Sequence, residues 1–152
     1  MNYWLMKSEP NEFGIDDLSN RAQQTEPWDG VRNYQARNML RDAMQIGDQV
    51  FFYHSNCDTP GIVGMAEIVR AGYPDDNAWD PNDKHYDPKS TPEKPIWYKV
   101  DVKFVRKFPR TLSLQELKTH PALSDLALVR RGNRLSIMPV SPEQSQFILT
   151  LV

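Results

Sequence analysis

The sequence predicts a mixed α+β fold: a sheet or barrel of short strands with a few helices packed around it. Three observations carry this. Five segments are rich in aromatic and β-branched residues. Two S-x-x-E/Q tracts, Ser113-Leu114-Gln115-Glu116 and Ser141-Pro142-Glu143-Gln144, announce short helices. One segment alternates polar and apolar residues, as a half-exposed antiparallel strand does.

Taken in order, the first strand is expected over Tyr3 to Lys7. It runs into Lys7-Ser8-Glu9-Pro10, where the proline holds Glu9 extended and stops ladder pairing, leaving polar groups at a strand mouth. The longest helix is expected from about Val31 to Met44, ended by Gly47. On a 3.6-residue period Asn33, Arg37, Leu40 and Met44 share one stripe, flanked by Ala36 and Ala43, which leaves Arg41 and Asp42 for solvent. Asn33 and Arg37 are thus expected to point inward, and a buried guanidinium costs several kcal/mol unless partnered. Either an internal network satisfies them, or they line a cavity that takes a polar ligand.

The second strand, Gln49 to His54, also ends in a polar run, His54-Ser55-Asn56-Cys57-Asp58. If both mouths open at one end of a barrel, they rim the same cavity. The third, Ile62 to Val69, contains Gly64, which marks a bulge in preference to a close approach by a ligand. The fourth, Ile96 to Val105, sets Tyr98, Val100, Val102 and Phe104 toward a core and Trp97, Lys99, Asp101 and Lys103 toward water. Between these two strands Gly72 to Pro95 carries Pro74, Pro81, Pro88, Pro92 and Pro95, too many for a regular element. Trp79 and Tyr86 favour an ordered loop there, packed by its own aromatics, and a loop of this length commonly binds or covers a site. The last strand is expected over Leu135 to Val140, and Phe147, Ile148 and Leu151 should dock the C-terminal helix on the sheet.

The chain has 152 residues, 39% hydrophobic and 25% charged, which fits one globular domain spanning residues 1–152. No basic flank precedes a long apolar run, so neither a signal peptide nor a membrane span is expected, and a cytoplasmic location follows, or a nuclear one in a eukaryote. Cys57 is a lone cysteine, in keeping with a reducing compartment. The net charge of −2 gives no overall attraction to nucleic acid, so any such binding must use a local basic patch. Arg106-Lys107-Phe108-Pro109-Arg110 and Arg130-Arg131-Gly132-Asn133-Arg134 offer two, both expected on exposed turns.

Catalytic and metal motifs are poor. His54 and Cys57 lie three residues apart at a strand end, with no reason to form a thiolate pair. Asp80, Asp83, His85 and Asp87 match no calcium or zinc spacing, and neither a phosphate loop nor a dinucleotide fingerprint occurs.

Four ordered motifs, Tyr3 to Pro10, Trp28 to Asn38, Gly47 to Ser55 and Gly61 to Gly64, together resemble the EVE-domain family, a likeness that continues through Arg130-Arg131 and Arg134-Leu135-Ser136. The resemblance implies a PUA-like β pseudo-barrel of five to six mostly antiparallel strands with flanking helices, more distantly similar to YTH domains. It implies a non-enzymatic binding module for a modified nucleobase, modified cytosine first, in DNA or RNA; a monomer is expected, and the residues call for no cofactor, metal or membrane partner. Trp28 then matches the family's cage tryptophan, with Tyr53 or Trp79 as a second wall. Glu9 or Asp29 would accept from a cytosine N4 amino group. Asn33, Tyr34, Arg37, Asn38, His54 and groups near Ser8 and Ser55 would complete the pocket, and Lys7, Arg130, Arg131 and Arg134 would meet phosphates. Two alternatives use the same cleft: an enzyme acting on a small molecule or nucleotide through Glu9, Asp29 or His54, and a binder of a free polar metabolite.

Overall fold

The computed structural model describes residues 1–152. Six strands, β1 (Tyr3–Ser8), β2 (Thr25–Trp28), β3 (Gln49–His54), β4 (Gly61–Pro74), β5 (Tyr98–Ser113) and β6 (Ile137–Val140), join in one sheet of order β2-β5-β4-β3-β1-β6. Only β1 and β3 run parallel; the other pairings are antiparallel. The mixed α+β class and the mostly antiparallel strands are as expected. Five short helices surround the sheet: α1 (Pro10–Phe13), α2 (Ile15–Asn20), α3 (Tyr34–Asn38), α4 (Leu114–Lys118) and α5 (Pro142–Thr150). None is long and apolar enough to cross a membrane.

The sheet is curled. Trp28 on edge strand β2 meets Phe52 of β3 with ring centroids 5.4 Å apart, although β5 and β4 lie between them, a span of roughly 14 Å in a flat sheet. The concave face holds Trp4, Met6, Trp28, Val50, Phe52, Ile68, Val100 and Val102. Leu5, Phe51, Tyr53 and Met65 face the other way, into a second core with Leu117 of α4 and Ile148 of α5. Buried on both faces, β1 and β3 read as continuous apolar runs, whereas a half-wet strand would alternate.

Both capping serines act as expected. Ser141 Oγ accepts from Gln144 N–H and Gln144 Oε1 accepts from Ser141 N–H, a complete capping box. At Ser113 the hydroxyl accepts from Glu116 N–H, but the Glu116 carboxylate turns to Arg110. The register breaks on both sides of Gly64, and a Cβ there would fall 2.4 Å from the Arg106 carbonyl oxygen. The glycine therefore serves a bulge and a close strand approach.

Several expectations are corrected. The helix expected over Val31 to Met44 begins only at Tyr34, and after Asn38 it widens into a π-helical turn, Met39–Ala43, closed by Met44 N–H donating to Met39 C=O. Strand β2 was not expected; Pro27 weakens its signature and is tolerated because β2 is an edge. Strands β4 and β5 are longer than expected, so Arg106 to Arg110 lies within β5 and not in a turn, and Gly72 to Pro74 belongs to β4. Leu135 precedes β6. Trp97 and Lys99 are buried, not wet: Trp97 Nε1 donates to Asp87, and Lys99 pairs with Asp76 at 2.9 Å. The Gly72 to Pro95 segment is ordered by its own carboxylates, Asp80, Asp83 and Asp87 each accepting from a backbone N–H two residues on.

Candidate functional site

The loop after β4 is bound to the tract after β2 by one carboxylate. Asp75, fully buried, accepts from Gly30 N–H at 2.9 Å, from Arg32 Nη1 at 3.0 Å and from its own loop at Asn77 N–H. Arg32 also donates twice to the His85 carbonyl and lies over the Trp97 ring. His85 in turn packs on Gly30, whose φ of +76° and lack of a side chain allow the contact. Asp29 accepts from the Asn77 side-chain amide. Five residue pairs thus hold the proline-rich loop beside Trp28.

A cleft of about 1320 Å³ opens where the curl brings the two edges of the sheet together. Glu26, Pro27 and Trp28 of β2 and the following Asp29 to Arg32 form one side; Lys7 and Ser8 of β1, with Glu9, Ser55, Arg134 and Ser136, form the other. Glu12 and Phe13 of α1 and the loop residues Asn77, Asp83, Lys84 and His85 close the ends. Five lining residues are cationic (Lys7, Arg21, Arg32, Lys84, Arg134) and five acidic (Glu9, Glu12, Glu26, Asp29, Asp83), so the lining is charge-balanced. Arg21 is paired with Glu26, Lys84 with Glu12 and Arg32 with Asp75. The Lys84 ammonium holds the Glu12 carboxyl below the usual range.

The two strand mouths do meet. Ser55 N–H donates to Ser8 C=O at 2.9 Å, the Ser8 hydroxyl donates to Phe13 C=O, and Glu9 accepts from the Asn56 amide. Of the residues singled out from sequence, Lys7, Ser8, Glu9, Trp28, Asp29, Ser55 and Arg134 line this cleft. Trp28 is only 8% exposed and belongs to the concave core as well.

Other expected site residues lie elsewhere. Asn33 is exposed and caps α3, its Oδ1 accepting from Ala36 N–H. Arg37 donates to Ile96 C=O at 2.7 Å and to Asn38. Asn33 does not point inward as expected; it and Arg37 are satisfied separately within the protein, and the inward stripe is Ala36, Leu40 and Met44. Tyr34 is 58% exposed and stacks on Trp97. Trp79 does not border the cleft, and Tyr53 faces the opposite side of the sheet. His54 Nε2 accepts from Ile15 N–H at 3.1 Å, and burial pushes its pKa below the ordinary value. Sequence reasoning missed Phe13 and His85, the aromatic rings besides Trp28 in the cleft, and Arg32 and Asp75, which fix its wall. Arg32 sits within the Trp28 to Asn38 tract, where its position was legible; nothing local marks Phe13.

On the other face of the sheet a second cleft, of about 690 Å³, shares Lys7 with the first. Its floor is Tyr53, Leu114, Leu128 and Val129, and around it stand Lys118, Arg130 and Arg131, with no acidic residue in the lining. Lys7 lies over the Tyr53 ring, and burial lowers its pKa and raises that of Tyr53 to about 12.

The EVE domain model matches residues 2–151. Thymocyte nuclear protein 1 of Rattus norvegicus is 50% identical over 167 residues, covering 99% of this chain and 73% of the relative. Among solved structures, a Pseudomonas syringae protein is 52% identical with a TM-score of 0.93, covering 98% of both chains. The human THYN1 protein, solved in complex with DNA containing 5-methylcytosine, is 46% identical with a TM-score of 0.93, covering 99% of this chain and 97% of that one.

Proposed function

The chain belongs to the EVE domain family, and we propose that it is a non-enzymatic module, one EVE domain over residues 1–152, that holds a modified base of a nucleic acid in the cleft beside Trp28. Modified cytosine in DNA is the first candidate, since the human relative of the same fold was solved with DNA carrying 5-methylcytosine.

The observation that carries the reading is the placement of Trp28 with the Glu9 and Asp29 carboxylates on one charge-balanced cleft. An extruded base needs an aromatic face and hydrogen bonds along its pairing edge. Trp28 supplies the face, with Phe13 or His85 in the role expected of Tyr53 or Trp79. Either carboxylate can accept from a cytosine N4 amino group. A balanced lining suits a neutral base better than a free anion or cation. Lys7 and Arg134, which pair with no acid, are left for the neighbouring phosphates.

The non-enzymatic part rests on His54, whose Nε2 lone pair is taken by Ile15 N–H, and on the human relative solved with methylated DNA. Glu9 and Asp29 each give one oxygen to an amide, of Asn56 and Asn77, and keep the other for a base. The test is the affinity of otherwise identical oligonucleotides with and without one 5-methylcytosine, together with a search for nucleoside turnover. Preferential, saturable binding without product is expected; equal affinity for both oligonucleotides, or turnover, refutes the reading.

A further inference from the structure

We propose that the second cleft is a backbone channel: it carries the sugar–phosphate chain that flanks the base held in the first, with phosphates on Lys118, Arg130 and Arg131 and with Lys7 at the junction. The inference rests on the base-binding reading above and extends it to a surface on the far face of the sheet.

The contrast between the two linings is the first ground. The base cleft balances five cations against five acids, whereas the second has four cations, Lys7, Lys118, Arg130 and Arg131, and no acid. In a chain of net charge −2 an unbalanced cationic groove is a local concentration of positive potential. Lys118 and Arg131 take part in no ion pair, and Arg130 has only an exposed contact to Asp125 at 3.5 Å.

Lys7 is the second ground. It lies on β1 directly opposite Tyr53 of β3, borders both clefts, and is half-buried without an acidic partner. Burying an ammonium without compensation is costly, and a phosphate at the junction would supply the missing charge. A base in one cleft and a phosphate in the other are thus linked through a single side chain.

The third ground is shape and rigidity. The floor of Tyr53, Leu128 and Val129 is apolar, matching the carbon face of a deoxyribose, while the rim is cationic. The turn that presents Arg130 and Arg131 is fixed by Asn133, whose amide donates to Ala127 C=O at 2.6 Å and whose oxygen accepts from Leu135 N–H at 2.9 Å. At the tip Gly132 has φ +80°, and a Cβ on it would meet nothing within 4 Å, so the groove is open there.

Counterion release distinguishes this channel from the base pocket. Each phosphate contact contributes about 0.7–0.9 to the slope of log affinity against log salt, and the choice between modified and unmodified base contributes nothing to it. The experiment measures oligonucleotides with and without one 5-methylcytosine between about 50 and 200 mM salt, for the unaltered protein, Lys118→Gln and Arg131→Gln. Each variant is expected to bind several-fold more weakly at low salt, with a slope smaller by about 0.7–0.9, and to keep the preference for the modified base. Unchanged slopes in both variants overturn the channel while leaving the base pocket standing. Reduced slopes in a protein that shows no base preference leave the channel standing and remove the pocket. Should the variants keep oligonucleotide binding but lose binding of polyglutamate, the groove is an acidic-peptide site and the proposal fails.

Discussion

The rings of Trp28 and Phe52 meet edge to face, centroids 5.4 Å apart and planes at 78°. One belongs to the edge strand β2 and the other to β3, so the contact fastens the curl of the sheet as well as the wall of the cleft. Trp28→Ala is therefore expected to do two things: lose base preference, and destabilise the fold by about 3–5 kcal/mol through the cavity it leaves. Trp28→Phe should recover most of the stability but only part of the binding, since the smaller ring offers less stacking area. Denaturant titration beside oligonucleotide binding separates the effects; a stable Trp28→Ala protein with undiminished base preference would remove Trp28 from both roles.

Gly30 is strained for any other residue. A Cβ there would lie 2.6 Å from His85 Nε2, and φ is +76°. Gly30→Ala should cost about 1–2 kcal/mol from the backbone alone, with a further loss from displacing His85. In the His85→Ala background the second loss should vanish and the first remain, which a double-mutant cycle of unfolding free energies reads directly.

Asp75 holds the proline-rich loop to the cleft wall, accepting from Gly30, Arg32 and Asn77. Asp75→Ala leaves the largely buried Arg32 guanidinium and two N–H groups without their acceptor, at a cost of about 2–4 kcal/mol. Hydrogen exchange at the Gly30 amide should accelerate more than at the β3 amides. Uniform acceleration would mean that the loop is not a separately anchored unit.

His54 makes stability depend on mild acid. Burial holds its pKa below the ordinary 6.5, and its Nε2 must stay unprotonated to accept from Ile15 N–H. Between the two values the unfolded chain binds the proton and the folded chain does not. Stability from this group is therefore present above pH 6.5 and is lost as pH falls from there toward the folded value. The denaturation midpoint of the protein should fall through this window more steeply than that of His54→Gln, and parallel curves would exclude His54 as the cause.

Much of this protein is written locally. The strand cores, the serine caps and the bulge at Gly64 each depend on neighbours a few residues away, and period, cap chemistry and the missing Cβ state those in the sequence. The apolar runs of β1 and β3 were legible as strands, though their burial on both faces hides the alternation that would say which face is which.

Tertiary structure decided what faces the cleft. Asn33 and Arg37 have the helical spacing of an inward stripe, but the chain enters α3 extended as far as Asn33, which turns that side chain into a cap, and Arg37 is drawn to the Ile96 carbonyl; Leu40 and Met44, within and after the π turn, are buried as the spacing predicts. Trp79 and Tyr53 are aromatic residues near the right segments, yet Trp79 stays outside the cleft and Tyr53 points to the far face. Phe13, His85 and Asp75 come to the site through contacts between distant parts of the chain. Periodicity reports which side of an element is apolar, a property of adjacent residues. Which elements then face one another depends on the curl of the sheet and on where Asp75 pins the loop, and both are sums over long-range contacts that no local pattern contains.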